Sequence, residues 1–307
     1  MTPSGSGSNG NERRRMTTST IDLHLHTRAS DGSDTPAELV EAAARGGLEV
    51  LAVTDHDTVA AVAEVRAAGQ RHGVRVLAGL EITGEVGGRV VHLLAYGEGL
   101  LAPGAVDRVE AVRRERLERN HRIGERLQAL TGVGYEQAAA LAGRSALSRA
   151  HFARALIQAG VVADTAEAFD RYLSNGRPAY VPAPSLPVEE VVPLVHGLGG
   201  VVVLAHPGRL GADEADRVVA AAIDAGVDGL EVWHSQHDAG ARRHWQALAE
   251  RHGLLVTGGS DYHGTHKPTV LLGSGSGGNV AVPGEALAAL EERLRQAAPE
   301  GATRGAC

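Results

Sequence analysis

The stretch "IDLHLHTRASDGS", Ile21–Ser33, decides how the rest of this chain is read. Side chains two apart on a strand share a face, so Asp22, His24 and His26 point one way and Ile21, Leu23 and Leu25 the other. One face is apolar and the other carries ligand chemistry. Neutral imidazole is a common ligand for divalent metals, and two on one strand face can grip a single ion. A hydrogen-bonded pair of core histidines would use the same pattern, because H-x-H is short enough to arise by chance. The remainder of the chain has to discriminate between the two.

Composition sets the bounds. With 307 residues, 43% hydrophobic and 22% charged, the chain is long enough for one large domain or two ordinary ones with a proper core. Residues 1–20 are rich in Ser, Gly, Asn and Thr, with Arg13, Arg14 and Arg15, and contain neither an apolar h-region nor an amphipathic stripe. They are expected to be a disordered tail without signal peptide or anchor, as are residues 301–307, and Met16 is a second candidate start. The only cysteine, Cys307, excludes an intrachain disulfide and every cysteine-ligated metal site. No apolar run approaches a membrane span, no obligate protein partner is evident, and the cytoplasm is the expected compartment. A net charge of −7 argues against broad adhesion to nucleic acid, though a local basic groove remains compatible with it.

Working outward from the first strand, one theme recurs: an Ala-rich helical stretch, a glycine stop, a short Val/Leu strand, then polar residues. "AAARGGLEVLAVTDHD", "AAGQRHGVRVLAGLEI", "LVHGLGGVVVLAHPG", "AAIDAGVDGLEVWHS" and "ALAERHGLLVTGGSDYH" all follow it. Continuous apolar strands alternating with helices indicate a parallel sheet covered by helices, and the glycines are helix C-caps. His72 and His252, just before two such glycines, are read as helix-end residues rather than ligands. The polar clusters then lie at strand C-terminal ends, which in a parallel β/α barrel converge on one mouth. No G-x-G-x-x-G or Walker pattern follows the first strand, so a nucleotide-cofactor fold loses ground.

Between about Leu101 and Leu186 the rhythm stops. Val106, Val109, Val112, Ile123, Leu127 and Leu130 recur at helical spacing, and further helices are expected around Tyr135 to Leu141 and Ser148 to Ala159. The proline breaks of "NGRPAYVPAP" end a segment read as a helical insertion, a candidate lid. The arginines from Arg113 to Arg126 alternate with Glu110, Glu115, Glu118 and Glu125 and are expected to form a solvated helix face, with a groove for an RNA backbone as the alternative. Asn120 interrupts the apolar stripe.

Collecting the ligand-type residues at or beyond the strand ends gives His24, His26, Asp31, His56, Glu81, His92, His206, Asp261 and His263. These six imidazoles and three carboxylates exceed what one or two ions need, and three divalent ions fit the count. Such a mouth is strongly positive before hydroxide binds, so phosphate is its natural guest, and ions there can lower the pKa of water from 15.7 to about 7. Asp22, Asp55 and Asp57 flank ligands, where they can either orient imidazole N–H groups or cap strand ends.

On these motifs the chain resembles the PHP (polymerase and histidinol phosphatase) family across roughly residues 21–97 and 199–264. The resemblance implies an α/β fold: a distorted seven-stranded (β/α) PHP barrel in two parts, 21–100 and 188–300, with residues 101–187 as the helical insertion. It implies three divalent ions, manganese first, with zinc or iron as alternatives. The first ion takes His24, His26, Glu81 and Asp261; Glu81 bridges to a second held by His92 and His206; the third takes Asp31, His56 and His263. An aspartate at position 31, where many members carry histidine, is similar to the branch of nucleoside 3′,5′-bisphosphate phosphatases and a related 5′-to-3′ RNA exonuclease. A phosphate ester, mononucleotide or short RNA, is thus the expected partner.

The resemblance also directs Arg149 and His151 in "SRAHFARAL" toward phosphate, together with Arg177 in "NGRPAY", since a planar guanidinium binds phosphate oxygens bidentately. Arg209, just after His206, is expected near the mouth, and His237, with His234 in "EVWHSQHD", as acid or substrate contact or as solvated loop. Histidinol-phosphate phosphatase, a noncatalytic PHP module and an amidohydrolase remain rivals. Many amidohydrolases bridge their metals through a carboxylated lysine on a middle strand, whereas the single lysine here, Lys267, lies beyond the last ligands.

Overall fold

The structure, a computed structural model, describes residues 20–143 and 147–298, so both expected tails fall outside the described residues apart from Thr20. Strand β1 (Ile21–Leu25) leads to α1 (Pro36–Arg45), β2 (Val50–Val53), α2 (Val62–His72), β3 (Arg75–Val86) and β4 (Arg89–Tyr96). Helices α3 (Asp107–Thr131), α4 (Tyr135–Ala142), α5 (Arg149–Gln158) and α6 (Thr165–Ala168) follow, with a π-helical turn at Phe169–Leu173. The chain then resumes with β5 (Leu186–Pro187), α7 (Val188–Gly197), β6 (Val201–Leu204), α8 (Ala212–Asp224), β7 (Gly229–His234), α9 (Ala239–His252) and β8 (Leu255–Gly259). A small antiparallel pair, β9 (Val270–Leu271) and β10 (Gly275–Ser276), precedes α10 (Gly284–Ala297).

Local chemistry explains the punctuation. Thr35 and Glu38 close a capping box over Pro36 at the start of α1, which fixes how the chain leaves the first loop. Gly73 and Gly253 end α2 and α9 in the left-handed conformation, leaving His72 and His252 as exposed helix-end residues.

Seven strands pair in the order β1-β2-β3-β4-β6-β7-β8, with β5 added beside β3. The circle nearly closes: beyond the end of β8, Asp261 N–H donates to His24 O and His26 N–H donates to Tyr262 O, at 2.9 and 3.0 Å. Gly259 permits this approach, because a Cβ there would lie 2.3 Å from the His24 nitrogen. One expectation is corrected. The barrel is not wholly parallel, since β4 runs antiparallel to both β3 and β6. Gly87 and Gly88, with φ of 57° and 75°, turn β3 straight back into β4 without a crossover helix.

Three apolar clusters line the barrel and its helices, and a fourth, built from Ile123 to Val181, belongs to the inserted helices. Helix α3 links the two regions: Val106, Val109 and Val112 pack with the barrel, whereas Ile123 and Leu127 enter the inserted cluster. Leu130 departs from the expected stripe and is 51% exposed.

Candidate metal centre

The barrel mouth gathers the nine candidate ligands around one carboxylate. Glu81 Oε2 lies 3.2 Å from His24 Nε2, 3.0 Å from His26 Nε2 and 3.3 Å from His56 Nδ1. Its Oε1 lies 2.7 Å from His92 Nδ1 and 3.1 Å from His206 Nε2. Asp261 Oδ1 stands 3.7, 3.4 and 3.4 Å from ring nitrogens of His24, His26 and His263. Asp31 Oδ1 is 3.3 Å from His26 Nδ1 and 3.2 Å from His263 Nε2, and its Oδ2 is 3.7 Å from His56 Nε2.

Five overlapping metal-competent groupings emerge among the described residues, one of them His24 with Glu231 and His234. Asp31, His56 and His263 cluster together with His26, and His24, His26 and Asp261 form a second set closed by Glu81. His92 and His206 share Glu81 Oε1, while their rings also group with His56 and His24. His26 Nε2, His56 Nδ1 and His92 Nδ1 are buried without a hydrogen-bond partner, although all three lie against Glu81. Such unpaired nitrogens are costly unless something else takes their lone pairs, and this all-N/O donor set fits divalent ions.

Seven of the nine lie at or just beyond the C-terminal ends of β1, β2, β6 and β8, but two do not. Glu81 sits mid-strand in β3, and His92 sits within antiparallel β4, opposite Thr83. The β3–β4 hairpin extends past the mouth, so a strand interior supplies both.

Burial and charge set the protonation of the metal-free site. Burial alone would raise Glu81, Asp31 and Asp261, yet the surrounding imidazoles hold all three carboxyls well below their usual range. Burial disfavours a charged His24, but Glu231 and Glu81 outweigh it and push the imidazole up to about 10; His26 is likewise raised, by Asp261, Asp31 and Glu81. Burial depresses His56, His263 and His237, and brings His206 down to about 3.

The signs give a pH prediction. Below the ordinary histidine value of 6.5 the unfolded chain holds protons on the four depressed imidazoles that the fold does not, so stability rises with pH. Above 6.5 the fold retains protons on His24 and His26 that the unfolded chain has lost, so stability falls as pH climbs toward their raised values. Chelator-treated protein should therefore melt at its highest temperature near neutrality and lower at pH 9. With manganese bound, those lone pairs are taken and the alkaline loss should vanish; parallel alkaline declines with and without metal would refute the assignment.

The flanking aspartates hold backbone rather than imidazoles. Asp22 accepts N–H bonds from Ser260 and Gly273, each at 2.8 Å. Asp55 accepts from Thr27 N–H at 2.8 Å and from the Ser30 hydroxyl at 2.6 Å, shaping the loop that carries Asp31. Asp57, at a left-handed φ of 51°, accepts from Thr83 N–H at 2.8 Å and from Arg116 at 2.5 Å.

The imidazole-orienting role belongs instead to Glu231, which the sequence reading did not single out. Its Oε1 lies 2.8 Å from His24 Nδ1, and its Oε2 accepts the His206 backbone N–H at 2.8 Å, so one buried carboxylate holds two candidate ligands, one on β1 and one just past β6. A register shift after Glu231 in β7 lets His234, three residues on, face the same centre, 3.3 Å from Asp261 Oδ2. A buried glutamate in an apolar strand, "GLEVWH", was the available signal.

The expected substrate contacts scatter. His151, the third residue of α5, closes a capping box with Ser148, whose N–H donates to its Nδ1 at 3.1 Å. Arg209 lines a cavity of about 210 Å³ beside His92 and His206. Arg149 donates to Leu173 O and stacks over Phe169 and Tyr180, whereas Arg177 pairs with Asp170 on the surface of the insertion. His237 is buried with one ring nitrogen 2.9 Å from Val232 O and the other accepting Gly208 N–H at 3.0 Å, so neither is free for a substrate.

The arginines of α3 also depart from a simple solvated face. Arg113 donates to Ala29 O, Arg116 to Asp57 and Thr83, Arg119 to Val181 O and Pro182 O, and Arg126 to Tyr180 O. Asn120 points inward and donates to Leu147 O at 2.7 Å. A cavity of about 260 Å³ opens between α3, α4 and the first loop, against His56. Its lining includes Arg28, Arg113 and Arg116 together with Leu117, Tyr135 and Leu147. Among the described residues neither Arg28 nor Arg113 has a carboxylate at ion-pair distance.

Comparison with known proteins agrees with this architecture. The model of the PHP domain matches residues 22–175. A 3′,5′-nucleoside bisphosphate phosphatase of Chromobacterium violaceum is 36% identical over 246 residues, covering 79% of this chain and 86% of its own. A 5′-3′ exoribonuclease of Salmonella typhimurium is 36% identical over 247 residues, covering 79% and 84%. Among solved structures, a Bifidobacterium adolescentis protein described as a metal-dependent phosphoesterase superposes with a TM-score of 0.73 at 37% identity, over 89% of this chain and 96% of that one.

Proposed function

The chain belongs to the PHP domain family, and from that premise we propose that it is a metal-dependent hydrolase of nucleotide phosphate esters, acting on the 3′-phosphate of nucleoside 3′,5′-bisphosphates. One observation carries the reading: the nine candidate ligands meet at one mouth, beside a cavity whose lining combines His56 and three arginines with Leu117, Tyr135 and Leu147. A phosphate needs the cationic side chains and a nucleoside the apolar and aromatic ones. Short RNA trimmed from its 5′ end is the second reading, favoured by the separate Arg209 cavity next to His92 and His206.

In this reading three ions, manganese first and zinc or iron otherwise, would be held by the sets His24–His26–Glu81–Asp261, Glu81–His92–His206 and Asp31–His56–His263. Divalent ions bound there polarise phosphoryl oxygens and make hydroxide available near neutral pH. The chain's own residues do the rest. Glu231 fixes His24 and the His206 backbone, and Asp55 and Asp57 hold the loops bearing Asp31 and His56. Arg28, Arg113 and His151 receive the substrate, Arg209 a downstream nucleotide, and Arg149 and Arg177 keep the insertion, residues 101–187, in shape as a lid. Among the described residues no helix is long and apolar enough to cross a membrane, and we place the enzyme in the cytoplasm.

The test is a substrate panel with manganese-loaded protein. Phosphate release from adenosine 3′,5′-bisphosphate should exceed that from histidinol phosphate by at least about tenfold in kcat/KM, about 1.4 kcal/mol. A preference for histidinol phosphate would overturn the substrate, and no turnover of any ester would favour a noncatalytic module. A 5′-phosphorylated trinucleotide in the same panel separates mononucleotide from RNA action.

A further inference from the structure

We propose that Lys267, the only lysine in the chain, is a positioning residue that restricts Asp261 to one metal-facing oxygen and so keeps a coordination place open for the substrate phosphate. The inference rests on the phosphoesterase reading above. Its basis is a division of labour within one carboxylate. Asp261 Oδ2 takes Lys267 Nζ at 2.7 Å and His234 Nε2 at 3.3 Å, while Oδ1 lies 3.7, 3.4 and 3.4 Å from ring nitrogens of His24, His26 and His263.

The backbone around the pair is built to hold it. Asp261 sits at a φ of 57°, a left-handed conformation that a non-glycine residue adopts only when its surroundings impose it. A short 3-10 turn, Gly264–His266, delivers Lys267, whose N–H donates to Gly264 O at 3.2 Å. That turn is pinned on the first loop, where Thr265 N–H donates to Ser33 Oγ at 2.9 Å and the His266 ring lies 3.0 Å from Asp31 O. Lys267 thus starts from the loop of one candidate ligand, Asp31, and reaches back to another.

A carboxylate can bind a cation through one oxygen or both. With its lone pairs turned to the ammonium at 2.7 Å and the His234 ring at 3.3 Å, and with the ammonium's positive charge beside it, Oδ2 is a poor second ligand for a cation, so Asp261 spends one position on an ion instead of two. Hydrolysis needs open positions for water and phosphate. The ammonium is also a positive charge beside a cation site, so it opposes ion binding while favouring turnover. A merely structural residue would support both.

That opposition of signs is the test. In Lys267→Met, turnover of adenosine 3′,5′-bisphosphate should fall by about 10–100-fold, the range typical of residues that orient ligands. Manganese affinity, measured by calorimetry, should stay equal or become tighter. Lys267→Arg should keep most of the turnover. Because the chain has one lysine, the wild-type protein gives an independent arm: reductive methylation, which retains the charge, should preserve turnover, and acetylation, which removes it, should reproduce Lys267→Met. Weaker manganese binding in Lys267→Met, or wild-type turnover in that variant, would overturn the proposal. Wild-type turnover judges the phosphoesterase reading separately, and if it is absent the manganese arm still decides whether Lys267 opposes ion binding.

Discussion

Glu81→Gln is expected to reduce turnover about a thousandfold or more, roughly 4 kcal/mol of lost transition-state stabilisation, and to lower the manganese content of purified protein. Glu81 is the one side chain within 3.3 Å of five imidazoles, through two oxygens that face different sides of the cluster. Glutamine keeps the shape but replaces one of those oxygens with an N–H donor and removes the charge. No neighbouring acid can substitute, because Asp31 and Asp261 already serve other edges of the ring of histidines. A variant within tenfold of wild type would mean that Glu81 bridges nothing.

His56→Ala should cost about a hundredfold in turnover, and Asp31→Ala a similar amount. The informative measurement is the double variant. If Asp31 and His56 hold the same ion, losing either empties the place, so the pair together should be no more than a few-fold worse than the worse single change. Multiplying losses, about ten-thousandfold, would show that they act independently and that the third grouping is wrong. The geometry predicts strong coupling, because Asp31 lies 3.7 Å from His56, and the two loops that carry them are tied to α3 by Arg113 and Arg116.

The candidate ligands legible in the sequence are those where chemistry and local period coincide. His24 lies on β1 and His26 just past its end, Asp31 and His56 follow β1 and β2 closely, and Asp261 with His263 follow β8 at once, so local spacing carried them to one mouth. Family resemblance, not spacing, supplied the grouping around three ions. Glu231 escaped notice because its partners, His24 and the His206 backbone, are 207 and 25 residues away. His237 looked available because it follows a barrel strand, and only the folded chain shows both its nitrogens facing backbone. Arg113 and Arg116 resembled any solvated helix face, since a helix pattern does not reveal that the first loop packs across it.

By itself, then, the sequence determined the α/β class, the recurring helix–glycine–strand units, the place where they stop, and a set of metal-competent side chains, because each follows from period, capping chemistry or residue type within a few positions. Tertiary structure alone decided that β4 reverses direction, that a shift in β7 aims both Glu231 and His234 at the centre, and that Lys267 occupies one oxygen of Asp261. These depend on which strands become neighbours and how closely they approach. Residues far apart in the chain settle both, and they meet only when the barrel closes between His24 and Asp261.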